Sequence, residues 1–192
     1  MNLPKSAHTD LPWRIHELTP DFQVYDVWAL PTPGAADDFQ LLIDLFAGGD
    51  TASNPSPIAR LLFSIRWKLG ELFGWDKASA GVGTRVQSLR DRLPADLPAS
   101  GPEFTQLPFN SVYLTGNEWA AEMANRTVHA VMHLSWVPGS SGGYRGQMAV
   151  LVRPNGWWGR AYMGLIGPFR HLLVYPPLMR GIAAEWRERL NA

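Results

Sequence analysis

Residues 22–30 alternate. Phe22, Val24, Asp26, Trp28 and Leu30 fall on one side, and Gln23, Tyr25, Val27 and Ala29 on the other, which is the two-residue period of a strand. Pro31-Thr32-Pro33-Gly34 is expected to close it. Residues 37–46 change to the period of a short helix, stopped at Gly48-Gly49. A second helix is predicted to open at Ser56-Pro57, where the serine hydroxyl can cap free N–H groups and proline suits the first helical position. Ile58, Leu61, Leu62, Ile65, Leu69, Leu72 and Phe73 then recur at helical spacing, opposite Arg60, Ser64, Lys68 and Glu71, with Gly74 just past the end.

Residues 82–89 read as a strand. Residues 90–108 hold Pro94, Pro98, Pro102 and Pro108 and read as a proline-rich surface connection. The second half is more regular. Residues 109–115, 118–123, 127–137 and 144–153 are strand-like, split at Gly116-Asn117, Asn125-Arg126 and the glycine-rich stretch 138–143. Over residues 118–123 a helix fits as well as a strand. The four segments together predict an antiparallel meander. Residues 155–190 then turn helical, with Tyr162, Leu165, Ile166, Phe169, Leu172 and Leu173 on one face. Gly167-Pro168 should kink this helix, Tyr175-Pro176-Pro177 should break it, and residues 178–190 form a last short helix. This order is α+β: one domain over 1–192 with its core in 10–190, a curved antiparallel sheet whose open face is crossed by a long, proline-kinked C-terminal helix.

Composition narrows the function classes. A chain of 192 residues, 46% of them hydrophobic, can bury roughly 70% of its unfolded surface and needs no staple. Its 17 basic and 17 acidic residues cancel, which argues against a nucleic-acid binder working through bulk charge. No cysteine is present, so disulfides, thiolate nucleophiles and cysteine-ligated zinc are excluded. Residues 1–18 lack the apolar stretch of a signal peptide, and no run of about eighteen apolar residues occurs. A cytoplasmic monomer or homodimer is expected, with no membrane or nucleic-acid partner.

The candidate chemistry is sparse. Asp26 is the odd residue on its strand face; a carboxyl among Phe22, Val24, Trp28 and Leu30 needs a partner, or has its pKa raised and becomes a general acid or base. The structural alternative is an ion pair with an arginine, or a strand end that reaches water. His129 and His133 share a strand face about 13 Å apart, too far to hold one metal ion, so no metal is expected. One of them facing a cavity would serve as a general acid or base; the alternative is a solvated face or bonds to neighbouring backbone. The hairpin register decides between these. If Val137 opposes Tyr144, the histidines join Met148, Val150 and Val152 on a largely apolar face; a one-residue slip groups them with Arg145, Gln147 and Arg153, expected to be solvated.

Nine tryptophans, among them Trp157-Trp158, suit either an aromatic pocket or ordinary core packing. Tyr113 and Tyr162 carry a polar tip on an apolar body and are candidates to orient a ligand, alongside Met148, Val150 and Phe169. Arg126, Arg160 and Arg170 suit an anionic head group or a surface salt bridge. There is no G-x-S-x-G elbow and no P-loop, and Gly81-Val-Gly83 lacks the third glycine of a dinucleotide fingerprint, so no cofactor is expected.

Three stretches carry a resemblance: Asn125-Arg-Thr-Val-His-Ala-Val-Met-His133, Gly159-Arg-Ala-Tyr-Met-Gly-Leu-Ile-Gly-Pro-Phe-Arg-His171 and Leu62-Phe-Ser-Ile-Arg-Trp-Lys-Leu-Gly-Glu-Leu-Phe-Gly-Trp75. Over residues 10–190 the chain resembles the family called domain of unknown function 2867. The resemblance implies a helix-grip fold similar to the START and polyketide-cyclase group, in which a sheet wraps a long helix around a cavity for apolar or aromatic ligands. In some relatives the domain follows a dinucleotide-binding domain, which this chain is expected to lack. The family name assigns no activity, so no catalytic residue carries over. The leading expectation is a module binding a small apolar or aromatic ligand between sheet and C-terminal helix. One alternative is a cofactor-free cyclase, isomerase or hydrolase using Asp26 and His129 or His133 for proton transfer. The other is a protein-interaction module docking through exposed aromatics or residues 90–108.

Overall fold

The computed structural model describes residues 1–47, 82–83, 86–104, 109–125, 128–139, 142–156 and 175–191. Among these lie strand β1 (Asn2–Leu3), short helices α1 (Ser6–Thr9) and α2 (Ile15–Leu18), strand β2 (Gln23–Gly34), helix α3 (Phe39–Ala47), strands β3 (Asn110–Leu114), β4 (Glu118–Ala124), β5 (Val128–Pro138) and β6 (Tyr144–Pro154), and helix α4 (Tyr175–Leu190). Single 3-10 turns cover Ala36–Asp38 and Leu89–Arg92. The strands form one curved sheet of α+β type, in the order β1-β2-β6-β5-β4-β3, every described neighbour pair antiparallel.

The expected meander is β3 to β6, and residues 118–123 resolve as strand. Consecutive segments joined by short polar turns pair locally, and alternation keeps one side of each strand apolar. Strand β2 differs from its expected form in two ways. It continues through Pro31-Thr32-Pro33-Gly34 instead of ending there, because register shifts between Ala29 and Pro33 let the prolines sit where the ladder is irregular. It also carries a bulge between Val24 and Asp26. The extra residue, Tyr25, reverses the alternation, so Val24 packs with Val27 on one face while Asp26, Trp28 and Leu30 turn to the other. The single face expected for 22–30 is thereby split in two.

Both faces of the sheet are covered. On the helix face, α3 brings Phe39, Leu42, Ile43, Leu45 and Phe46, and α4 brings Tyr175, Leu178, Ile182 and Trp186, onto Leu30, Leu134, Trp136 and Met148. Trp186 donates its indole N–H to the carbonyl of Pro33, which ties α4 to the end of β2, and Trp136 of β5 donates to that of Ala35, at the lead-in to α3. Gly146 sits under this contact: a Cβ there would lie 2.8 Å from Thr32 Oγ1 and 2.9 Å from Leu42. On the outer face, Trp13, Ile15 and Leu18 from the N-terminal segment, with Leu89 and Leu97 from 86–104, close over Val27, Val131, Ala149 and Leu151. The described residues of 82–89 lie in none of the strands of the sheet. Val82 and Val86 make one isolated bridge, and Leu89 begins a 3-10 turn capped by the Ser88 hydroxyl. The 90–108 connection also does more than cross the surface, since Leu97 is buried in the outer-face core. The predicted helix over 56–73, the kink at Gly167-Pro168 and Trp157-Trp158 lie outside the described residues.

Candidate functional site

The β5–β6 pairing answers the register question. Pro138, not Val137, opposes Tyr144, and Val137 opposes Arg145. His129 therefore pairs with Arg153, His133 with Ala149 and Ser135 with Gln147, while Leu134 and Met132 pair with Met148 and Val150. The histidines occupy the outer face and Met148 and Val150 the helix face. The slip places the histidines with Arg145, Gln147 and Arg153 as that register requires, yet the face is not solvated: His129 and His133 are each 0% exposed. The N-terminal segment provides the cover.

The helix face holds the chemistry nearest to a ligand site. Asp26, buried at the bulge, accepts a hydrogen bond from the Tyr175 hydroxyl at the first turn of α4, 2.8 Å away. The Trp28 ring lies against Tyr175, centroids 4.4 Å apart and 32° from parallel. Met148 is buried beside this pair in the ladder, opposite Trp28, and Val150 opposes Asp26. Past the start of α4, Val128, Val152, Ala130 and Val150 continue the apolar surface with Tyr25 packed on them. Met123, Ala130 and Val150 are only half-buried although they lie on inner strands of the sheet. A carboxyl and a phenol hydroxyl at the edge of such a surface can orient a bound molecule.

The outer face is built differently. Glu118 and Glu122 on β4 each reach diagonally across to a histidine on β5: His133 Nε2 to Glu118 Oε2 at 2.9 Å, and His129 Nε2 to Glu122 Oε2 at 2.7 Å. Glu118 also accepts from the Tyr113 hydroxyl at 2.9 Å and from the backbone N–H of Arg14 at 3.0 Å. Glu122 accepts from the Ser88 hydroxyl and the backbone N–H of Leu89. Burial alone would raise both carboxyls. The hydrogen bond from the partner histidine, with the further donors, outweighs it and holds each below the usual glutamate value. Tyr113 is pushed up, by burial first and then by the neighbouring Glu118. The second nitrogen of His133, Nδ1, meets Nε2 of His8 at 3.2 Å. Burial holds His133 below its ordinary value in spite of Glu118. His8 is lowered to about 3, by burial and then by the positive charge His133 and His16 would carry.

These contacts correct several expectations. Asp26 is on the opposite face of the sheet from His129 and His133, so the three do not form one proton-transfer site. Tyr113 does not join Met148 and Val150; it is buried on the outer face with its hydroxyl held by Glu118. Among the described residues, Asp26 accepts a hydrogen bond from Tyr175. Tyr162, Phe169, Arg126, Arg160 and Arg170 lie outside the described residues. Sequence reasoning missed Glu118, Glu122, His8 and Tyr175. Glu118 and Glu122 carried a readable signal: two acids four apart on one strand, mirrored by two histidines four apart on the next. Among the described residues, no group of three or more potential ligands gathers to hold a metal ion, and no helix is long and apolar enough to cross a membrane.

Among solved structures, the chain is similar to the di-domain ARO/CYC StfQ from the steffimycin biosynthetic pathway, at 12% identity and a TM-score of 0.35. That likeness covers 96% of this chain and 57% of the other, so the chain spans little more than half of that protein. No curated protein matches it. Residues 18–177 match the family described as Protein of unknown function (DUF2867), and the chain belongs to that family.

Proposed function

We propose that the helix face of the sheet binds a small apolar or aromatic molecule, in a cytoplasmic protein working as a monomer or homodimer. The reading takes the fold as a helix grip, with the C-terminal region closing over the sheet. The observation that carries it is the Asp26–Tyr175 hydrogen bond, flanked by Trp28 and Met148, beside the half-buried apolar Val150 and Ala130. Inner-strand residues of a packed sheet are normally covered on both faces; a half-buried apolar pair next to a buried polar pair is the composition of a ligand site. The apolar surface supplies affinity, and the carboxyl and phenol hydroxyl fix the orientation of a polar group on the ligand. If the bound molecule is also transformed, we assign the proton transfer to Asp26 in preference to the histidines of the other face.

Native mass spectrometry of freshly purified protein tests this. The expected result is a bound small molecule, or uptake of one from a panel of neutral aromatics (2-naphthol, indole, coumarin). Filling the surface with Val150→Trp should lower occupancy at least about tenfold with the fold retained by circular dichroism. An empty protein that takes up nothing from the panel, or equal occupancy in the folded variant, contradicts the reading.

A further inference from the structure

The cluster that the proposed ligand site leaves unused is the one between the N-terminal segment and the outer face. His8, on α1, is fully buried, 125 residues away in sequence from the His133 ring it meets. Residues 2–3 pair with β2, and Met1 and Ala29 exchange backbone hydrogen bonds; past them, residues 6–18 make few polar contacts with the rest of the chain. The Arg14 N–H reaches Glu118, Gln147 Nε2 donates to the Ala7 carbonyl, and Arg92 donates to the Leu18 carbonyl. Trp13 lies over His133, centroids 5.6 Å apart, and the His16 ring stands edge-on to His8 at 4.9 Å.

The hydrogen bonds fix the protons. Glu118 only accepts, and its donors include His133 Nε2, so His133 carries its proton there and offers a bare Nδ1. His8 Nε2 must then donate to it, which leaves His8 Nδ1 bare, buried and without a hydrogen-bond partner. The arrangement has no place for another proton. Protonating His133 at Nδ1 turns two donors toward each other at 3.2 Å, or forces His8 to carry its proton on Nδ1, where nothing accepts it. Protonating His8 at Nδ1 creates a buried cation with nothing to accept from it. The charged and titratable groups facing this pair supply little relief. Glu118 from β4 is already engaged by three donors, Tyr113 from β3 is one of them, and His16 from α2 adds positive charge if protonated. The Arg14 guanidinium is paired with Glu17 of α2 and with Asp96.

We propose that residues 6–18 are a pH-sensitive latch: the His8–His133 contact holds them on the outer face when both imidazoles are neutral, and mild acid releases them from that face while β1 stays paired. The sign follows from linkage. Both histidines sit below their ordinary value when latched and return toward about 6.5 when released, so the released state binds more protons below that pH. The latch is fully closed above the free histidine value and weakens as pH falls. With two protons taken up, the opening constant rises up to about a hundredfold per pH unit below about 6.

Hydrogen exchange of the full chain between pH 7.5 and 5, corrected for intrinsic rates, reads this directly. Amides of residues 6–18 should lose protection steeply on acidification while β5 and β6 keep theirs. His8→Gln, which can still donate to His133 Nδ1 but does not titrate, should cut the steepness to about tenfold per unit. Corrected protection of residues 6–18 that stays flat across this range overturns the proposal, as does loss in step with β5 and β6. If the variant does not fold, the wild-type profile decides alone.

Discussion

The two faces of the sheet differ in what covers them. Over the helix face, α3 and α4 bring large apolar side chains onto Leu134, Trp136 and Met148, and the polar pair Asp26–Tyr175 stands at the edge of that contact. Over the outer face, two glutamate–histidine pairs sit inside the apolar layer, each carboxylate accepting several hydrogen bonds. The first arrangement is non-directional and tolerates exchange of one apolar group for another, including a ligand. The second is directional: each donor has one acceptor, and a missing partner leaves a buried charge. Neighbouring residues of one strand, Val150 and Leu151, thus serve different purposes because they point to different sides.

The sharpest way to break this comparison is Glu118→Ala. It strips the acceptor from Tyr113, His133 and the Arg14 N–H together, and should cost about 3–5 kcal/mol of unfolding free energy by urea titration. A loss under about 1 kcal/mol would mean that the pair is not the fastening of the outer face. A matched pair of truncations sharpens it. Val131 is fully buried on the outer face and Val150 half-buried on the helix face. Val131→Ala should cost about 2 kcal/mol and Val150→Ala less than half of that, in the same titration. Equal costs would contradict an open helix face. The smallest effect belongs to Asp21, whose carboxyl bridges Arg92 and Arg153 with 39% of its side chain exposed. The Arg92 hydrogen bond foremost, then Arg153, holds its pKa below the usual aspartate range against partial burial. A depressed carboxyl contributes stability above the unfolded value near about 4 and loses it below. Asp21→Asn should cost no more than about 1 kcal/mol at pH 7, since exposed pairs are screened, and progressively less as pH falls below about 4 toward the lower folded value.

Much of the fold was legible because local pattern sets it. The strands of the meander follow from alternation and from turns such as Gly116-Asn117, and α3 follows from its apolar spacing between Asp37 and Phe46. The site was less legible because face is a matter of single residues. Tyr25 as a bulge and Pro138 as the partner of Tyr144 each flip a face, and no local preference in the chain announces either. The cover over the outer face was hidden for another reason. Residues 1–22 show no long periodic run, since α1 and α2 are four residues each and are fixed by tertiary contacts such as His8–His133. The diagonal partnership of Glu118 with His133 was within reach from the matched four-residue spacings of the acids on β4 and the histidines on β5.

Methyl-resolved NMR during a titration with 2-naphthol compares the two faces in one sample. The account predicts shifts at Ala130, Met148, Val150 and Val152, with Val131, Ala149 and Leu151 on the outer face left in place. Shifts appearing first at Val131, Ala149 and Leu151 would contradict it.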